Sequence, residues 1–308
     1  MQHLRRKGAP VPRIYADGEG QTAVEIGDWS YEVHEAPDAV DLYADRLSWT
    51  PYLSSAHART AGRVLAQLHV AAAGFMAPAR APRPLVASFS IFAKADAGAA
   101  MRAYLKLHPA LDSSAMAHRC GEEALALLHP FHEQLRTYLP QLAPLWTHND
   151  LHGSNLLWPA SGAEDQAMRI IDFGLCDCTS AVHDLGHAIE RSIVEWLQMN
   201  ADSHSTDNLP MHLDHLHALL EGYTSVRALN EAECAALTPM AALCHAEFAL
   251  TEADYYIGIL HHPENTRICL EDYLVGRARW MRGPGGQRLL ESISKWTDAY
   301  QENRTRES

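Results

Sequence analysis

The feature that most constrains this chain is a short hairpin signature set inside a mostly helical pattern. Two apolar pieces, NLLW (155–158) and MRIIDF (168–173), flank a polar turn, SGAEDQ (161–166), and predict a pair of strands. The first follows directly from His148-Asn149-Asp150-Leu151-His152-Gly153-Ser154-Asn155, and the second runs into Asp172-Phe173-Gly174. A hairpin returns its second strand to the end where the first began. Asn155 and Asp172 are therefore expected at one point, although a long stretch of chain separates them. Either half alone would carry little; the ordered set carries much.

The texture on either side differs. Upstream, VPRIYAD (11–17), Gly18-Glu19-Gly20 and TAVEIGDWSYEVHE (22–35) read as extended segments around glycine turns, a hairpin in outline. A linker near 35–48 follows. Residues 54–73 open with the cap signal Ser54-Ser55, carry Ala61, Val64, Leu65 and Leu68 at helical spacing, and stop before Gly74. After the proline-rich PARAPRPL (78–85), helical patterns are predicted over 112–139, 182–200, 211–226, 231–260, 265–280 and 286–300. This is an α+β chain with a β-containing piece over 1–40 and a large helical lobe over 41–308.

Composition narrows the partners. Lys and Arg number 25 against 38 Asp and Glu, a formal charge of -13. An acidic surface repels phosphate backbones and anionic lipids, so neither nucleic acid nor a membrane is expected as partner. No apolar run is expected to reach the ~18 residues of a membrane helix. The basic start, MQHLRRKGAPVPR, lacks the apolar core of a signal peptide. The six scattered cysteines fit a reducing cytoplasm better than a disulfide framework. With 47% hydrophobic residues, an ordinary globular core is expected.

The set His148-x-Asp150-x-x-x-x-Asn155 followed by Asp172-Phe173-Gly174 is the layout that phosphoryl transfer requires. One carboxylate must stand beside the attacking hydroxyl and accept its proton. An amide oxygen five residues on reaches a magnesium ion, and a second carboxylate at the end of the return strand binds magnesium and bridges the nucleotide phosphates.

On these motifs the chain resembles the aminoglycoside phosphotransferase and choline kinase group of kinase-like small-molecule phosphotransferases. The resemblance extends to GAPVPRIY (8–15), RVLAQLH (63–69) and HDLGHAIERSIVEWL (183–197), and so covers nearly the whole chain. It implies a protein-kinase-like fold with a curtailed N-lobe (1–40) and a helical C-lobe (41–308). The activity it implies is transfer of a phosphoryl group from ATP, with Mg2+, to a hydroxyl of a small molecule; GTP is not excluded as donor. Asp150 would be the catalytic base, Asn155 and Asp172 the magnesium and nucleotide ligands, and His148 a brace for the loop. His152, Glu190, Glu195 and Asp254 are the candidates to meet the acceptor, and the acidic balance leans towards a cationic one.

The chain departs from that pattern upstream. Such kinases hold the α- and β-phosphates with a strand lysine paired to a helix glutamate. Here the lysines are Lys7, Lys94, Lys106 and Lys295. Lys7 falls where the glutamate-bearing helix would end, and Lys94, after SFSIFAK (88–94), comes in the wrong order. Gly18-x-Gly20 is a turn signal rather than a phosphate loop. The expectation is a chain that starts inside the N-lobe, binds ATP weakly as written and leaves apolar hairpin faces uncovered. Two other classes stay open. One is a non-catalytic kinase-like binding protein; the other is a zinc hydrolase on Cys176, Cys178, His183 and His187, whose cysteine gap is shorter than zinc sites use. His212, His215 and His217 read as a solvated helix face, and Glu247, Glu252 and Asp254 as one further face.

Overall fold

The computed structural model describes residues 1–78, 80–81, 83–86, 88–159, 169–199 and 209–307, so the polar turn 161–166 lies outside the described residues. A short helix, α1 (Gln2–Arg6), leads into β1 (Ala23–Ile26) and β2 (Trp29–Glu32), an antiparallel pair with Ile26 opposite Trp29. Gly27 turns the hairpin at φ 63°, a conformation open to glycine because no Cβ collides. The Gly18-x-Gly20 pair therefore does not make this turn. It closes an earlier loop, where Asp17 Oδ1 accepts from the backbone N–H groups of Glu19 and Gln21 at 2.9 and 2.8 Å. The outer arms meet again at Ile14 and His34. Ile26, Trp29 and Val33 remain 63%, 71% and 63% exposed, so the uncovered apolar faces expected from the sequence are present.

The hairpin signature folds as predicted and gains a third strand. β3 (Ala39–Val40) pairs with β5 (Leu156–Pro159), which pairs with β6 (Arg169–Ile170), giving the order β3-β5-β6. A separate antiparallel pair, β4 (Pro144–Thr147) and β7 (Asp177–Ser180), brackets it.

The helical lobe begins with α2 (Ser55–Ala72), capped by Ser54 Oγ on the His57 N–H at 3.2 Å, as the Ser54-Ser55 signal implied. Two helices that the periodicity did not announce follow, α3 (Ala97–Leu107) and α4 (Pro109–Asp112). Asp96 starts α3 by accepting the Ala99 N–H at 2.8 Å, a cap signal hidden behind the proline-rich stretch. α5 (Ala115–Leu135) is shorter than predicted at both ends, and α6 (Ala181–Ser192) stops early, followed later by α7 (Leu213–Thr224). The predicted helix 231–260 divides at Cys244 into α8 (Glu231–Leu243) and α9 (His245–Gly258). Likewise 265–280 becomes α10 (Pro263–Arg267), a π-helical run over Ile268–Gly276 and α11 (Arg277–Arg282), ahead of α12 (Pro284–Glu307). Against expectation, Glu231–Gly258 is long and apolar enough to cross a membrane by length and composition, but 89% of its apolar window is buried inside the fold, as a core helix pair would be.

α2 and α7 cross backbone to backbone. Gly62 of α2 lies against the Leu219 carbonyl, and Gly222 of α7 against the Arg59 carbonyl, with no room for a Cβ at either. This crossing brings His69 of α2 within hydrogen-bond reach of Tyr223 of α7, at 2.8 Å, deep in the core. A methyl group here must wedge the helices apart, at a cost of about 1–3 kcal/mol or more. Gly222→Ala should thus lower the denaturant midpoint clearly, while Gly18→Ala, where the added atom meets nothing within 4 Å, should leave it unchanged. Equal midpoints for the two variants would rule out the close crossing.

Candidate active site

The 148–155 loop is fastened from behind by α6. Ser180 Oγ caps that helix on the His183 N–H at 3.2 Å, and the first turn then presents Asp184. Its Oδ2 accepts the His148 N–H and its Oδ1 the Asn149 N–H, each at 2.8 Å. His69 Nε2 approaches the same carboxylate at 2.9 Å and is backed by Tyr223. Burial alone would push the Asp184 carboxyl up; the bonds from His69 and His148 win and hold it below the usual carboxylate range. Asn149 is left-handed, φ 63°, and its side-chain oxygen gathers Thr147 Oγ1, Thr179 Oγ1 and His183 Nδ1 at 2.8, 3.1 and 3.2 Å. Those contacts over-determine a backbone conformation that asparagine tolerates better than most residues.

The loop is also stitched to the return strand. His148 Nε2 reaches the Ile171 carbonyl at 2.8 Å, and its ring meets Phe173 edge-on at 4.9 Å. The Asn155 carbonyl accepts the Ile171 N–H at 3.0 Å, which joins the two motifs at the open end of the hairpin. Asn155 Nδ2 donates to the Asp150 carbonyl at 2.8 Å and lies 3.3 Å from its Oδ2, which leaves the amide oxygen uncommitted. Asp172, left-handed at φ 58°, accepts the Gly174 N–H on Oδ1 at 3.1 Å.

Asp150, half-buried, is the centre of a charge cluster. Burial raises its carboxyl above the ordinary value, and Arg191, with Nη2 at 2.8 Å from Oδ1, opposes that rise. The Arg191 guanidinium is itself buried, 4.0 Å from the Phe248 ring centre and 5.2 Å from that of Trp49. His152 stands 3.8 Å from Asp150 Oδ2 and bonds Ser154 Oγ through Nδ1 at 3.0 Å. Burial first, then Arg191 and His148, push its pKa down to about 3, so it stays neutral.

The other acceptor candidates are already engaged. Glu190 is fully buried and ion-paired with Arg277. Glu195 meets His212 at 3.0 Å, and Asp254 lies buried near His108. On α9 the carboxylate that feels both Asp150 and Arg191 is Glu252, pushed up to about 7 by burial. Glu247 caps the 90–91 backbone from inside the core. Among the described residues Cys176, Cys178, His183 and His187 do not gather as a ligand set, and all six cysteines are free thiols. His215 is buried and stacked on half-buried His212, whereas His217 is exposed, so the solvated face expected there fails at His215 and holds at His217.

Beside Asp172 lies a cavity of about 890 Å3, lined by Ile14, Pro37, Leu157 and Ile171 among others; Asp150 and Asn155 are not part of its lining. Its lysine-free lining includes Arg6 and Arg80, and Arg80 Nη1 donates to the Cys176 carbonyl at 3.1 Å. The available donors, a carboxylate on Asp172 and an uncommitted amide oxygen on Asn155, are hard oxygens of the kind magnesium takes. Sequence reasoning missed Asp184, Arg191 and Arg80. The signal for the first two was charged residues at core positions of HDLGHAIERS; Arg80, in the proline-rich stretch, offered none.

The comparisons with known proteins agree on the family. The model of the phosphotransferase enzyme family matches residues 1–248. Among solved structures, a microcompartment-associated aminopropanol kinase is 21% identical, TM-score 0.54, over 95% of this chain and 80% of its own. The amicoumacin kinase hAmiN, in complex with AMP-PNP, Ca2+ and Ami, is 12% identical, TM-score 0.55, over 90% and 75%. A choline/ethanolamine kinase family protein from Mesorhizobium loti is 17% identical, TM-score 0.52, over 96% and 80%. No curated protein matches the sequence. These likenesses establish a kinase-like fold with a small N-lobe and a helical C-lobe. Together with the match over four-fifths of its length, they make this chain a small-molecule kinase that belongs to the phosphotransferase enzyme family.

Proposed function

We propose that the chain uses ATP and magnesium to phosphorylate a hydroxyl of a small molecule, with GTP an alternative donor. Asp150 accepts the hydroxyl proton, Asn155 and Asp172 hold the metal and through it the nucleotide phosphates, and His148 braces the loop. Arg6 and Arg80, which line the cavity, are the cations available there in place of a strand lysine. The observation that carries this reading is the junction of the two motifs, where the Asn155 carbonyl accepts from Ile171 while its amide bonds Asp150. Asp172 lines the cavity, and the junction joins Asn155, and through its amide Asp150, to the strand that leads into Asp172. Magnesium, when bound, supplies charge neutralisation; the chain supplies position, the larger part of catalysis for a loose transition state. The acceptor class is an amino alcohol, a homoserine-like metabolite, a sugar derivative or an antibiotic, and Glu252 is the carboxylate that would meet a positive charge on it. The competing reading, a non-catalytic binding protein, draws on the lysine-free cleft; nucleotide binding without turnover of any such acceptor would favour it.

Asp150→Asn keeps shape and removes the base, so kcat should fall about 10²–10⁴-fold with little change in KM, and turnover within a few-fold of the parent would refute the role. Asp172→Ala should weaken magnesium-dependent nucleotide binding more than Asn155→Ala, because a carboxylate gives a hard cation charge and an amide only a dipole. Identical nucleotide affinity in both variants at limiting magnesium would remove the metal assignment.

Arg191 yields a pH test. Its positive charge favours ionised Asp150, against burial. Arg191→Met should therefore raise the Asp150 pKa and move the acid limb of kcat/KM to higher pH, whereas Arg191→Lys should largely restore it. An acid limb that stays put in Arg191→Met would show that the cation does not tune the base.

A further inference from the structure

In the helical lobe, α5 carries His129, His132 and Glu133, spaced i, i+3 and i+4. That spacing sets side chains on one helix face, and here their ligand atoms all lie within 4.8 Å of one another. The three line a second cavity of about 430 Å3, together with Asp96 at the start of α3. None of these residues takes part in the cleft described above.

The three ligands are not equally free, and the inequality is informative. His132 is 2% exposed, and its Nε2 lies 2.8 Å from the Lys94 carbonyl. A carbonyl can only accept, so Nε2 carries the proton and Nδ1 keeps its lone pair. A ring fixed by a backbone carbonyl on one nitrogen, with the other left as donor, is how metal-bound histidines are oriented. His129 is exposed and, among the described residues, makes no hydrogen bond. Glu133 reaches Arg136 at 3.1 Å, an exposed pair with little to lose by exchange. Asp96 spends Oδ1 on its cap and keeps a second oxygen.

We propose that His129, His132 and Glu133 bind a divalent transition-metal ion, zinc foremost, at this cavity, with Asp96 or water completing the shell. Two imidazoles and a carboxylate match zinc, whereas magnesium and calcium prefer all-oxygen shells. Ligand atoms around tetrahedral zinc stand roughly 3.4 Å apart, so the set must contract by up to about 1.4 Å, within reach of rotamer adjustment at two surface side chains. The ion would tie α5 to the segment before α3, because Lys94 and Asp96 both touch the site.

The test is a zinc titration of the full chain by calorimetry, with cobalt as a spectroscopic probe. The parent should take up one zinc at this site, and cobalt should show visible d–d bands without a thiolate charge-transfer band. His129→Ala and His132→Ala should each weaken uptake at least about tenfold. His215→Ala, in the separate His212, Asp214 and His215 cluster, should leave it unchanged. His129 is exposed, so its variant remains informative even if His132→Ala misfolds. No saturable uptake by the parent, undiminished uptake by His129→Ala, or a cobalt–thiolate band would overturn the proposal. None of these readouts depends on kinase activity.

Discussion

The carboxylate of Asp184 is the interaction on which the rest depends. It is fully buried, and an unpaired charge there would cost several kcal/mol. It is offset by two consecutive backbone N–H groups, His148 and Asn149, and by His69. Its place in the first turn of α6 adds the favourable end of the helix dipole. One side chain thereby fixes the plane of the loop that carries Asp150. The same carboxylate leads through His69 to Tyr223, and so to the α2–α7 crossing that two glycines permit. Local sequence, helix packing and loop geometry are thus one continuous constraint.

A second buried layer sits nearly two turns further along α6. Glu190 and Arg191 face Arg277 and Asp150, and the two guanidiniums lie flat against aromatic rings, Arg191 on Phe248 and Arg277 on Tyr273, both at 4.0 Å. Buried ion pairs contribute little net stability, since desolvation consumes most of the Coulomb gain. Their consequence is order: arginine's planar fork has few ways to satisfy a carboxylate and two rings at once. That order fixes which oxygen of Asp150 the guanidinium holds, Oδ1, and leaves Oδ2 to Asn155.

The sequence made the hairpin and its flanking motifs legible because both are local. Two short apolar runs around a polar turn specify β5 and β6, and the hairpin geometry alone dictates that Asn155 and Asp172 converge. Ser54 announced α2 by its hydroxyl. What stayed hidden depends on tertiary partners. Asp184 and Arg191 look like any charged helix residues until α6 proves buried along its whole length. Glu190 and Asp254 looked free to meet a substrate because periodicity gives a face, not the partner across from it. The break at Cys244 and the π-helical run after Arg267 carry no local signature; Cys244 continues in ordinary helical dihedrals. The Gly18-x-Gly20 pair misled because two glycine turns compete in one stretch, and the one at Gly27 closes the ladder.

The two walls of the cleft are built on different terms. Hydrogen bonds and ion pairs from His148, Asn149, Asp150 and Asn155 all go to residues of the helical lobe and its embedded strands. They rest on a core whose largest side chains are fully buried. Ile14 and Pro37, which also line the cavity, lie on the arms of the β1–β2 ribbon, which exposes aromatic and β-branched residues and has open edges. A two-stranded ribbon is marginal without packing on a face. On the proposed assignment, the geometry for accepting a proton is therefore intrinsic to the helical lobe, whereas nucleotide affinity depends on how firmly the ribbon is held. Changes to the ribbon should act first on nucleotide binding, and changes around Asp184 on the chemical step.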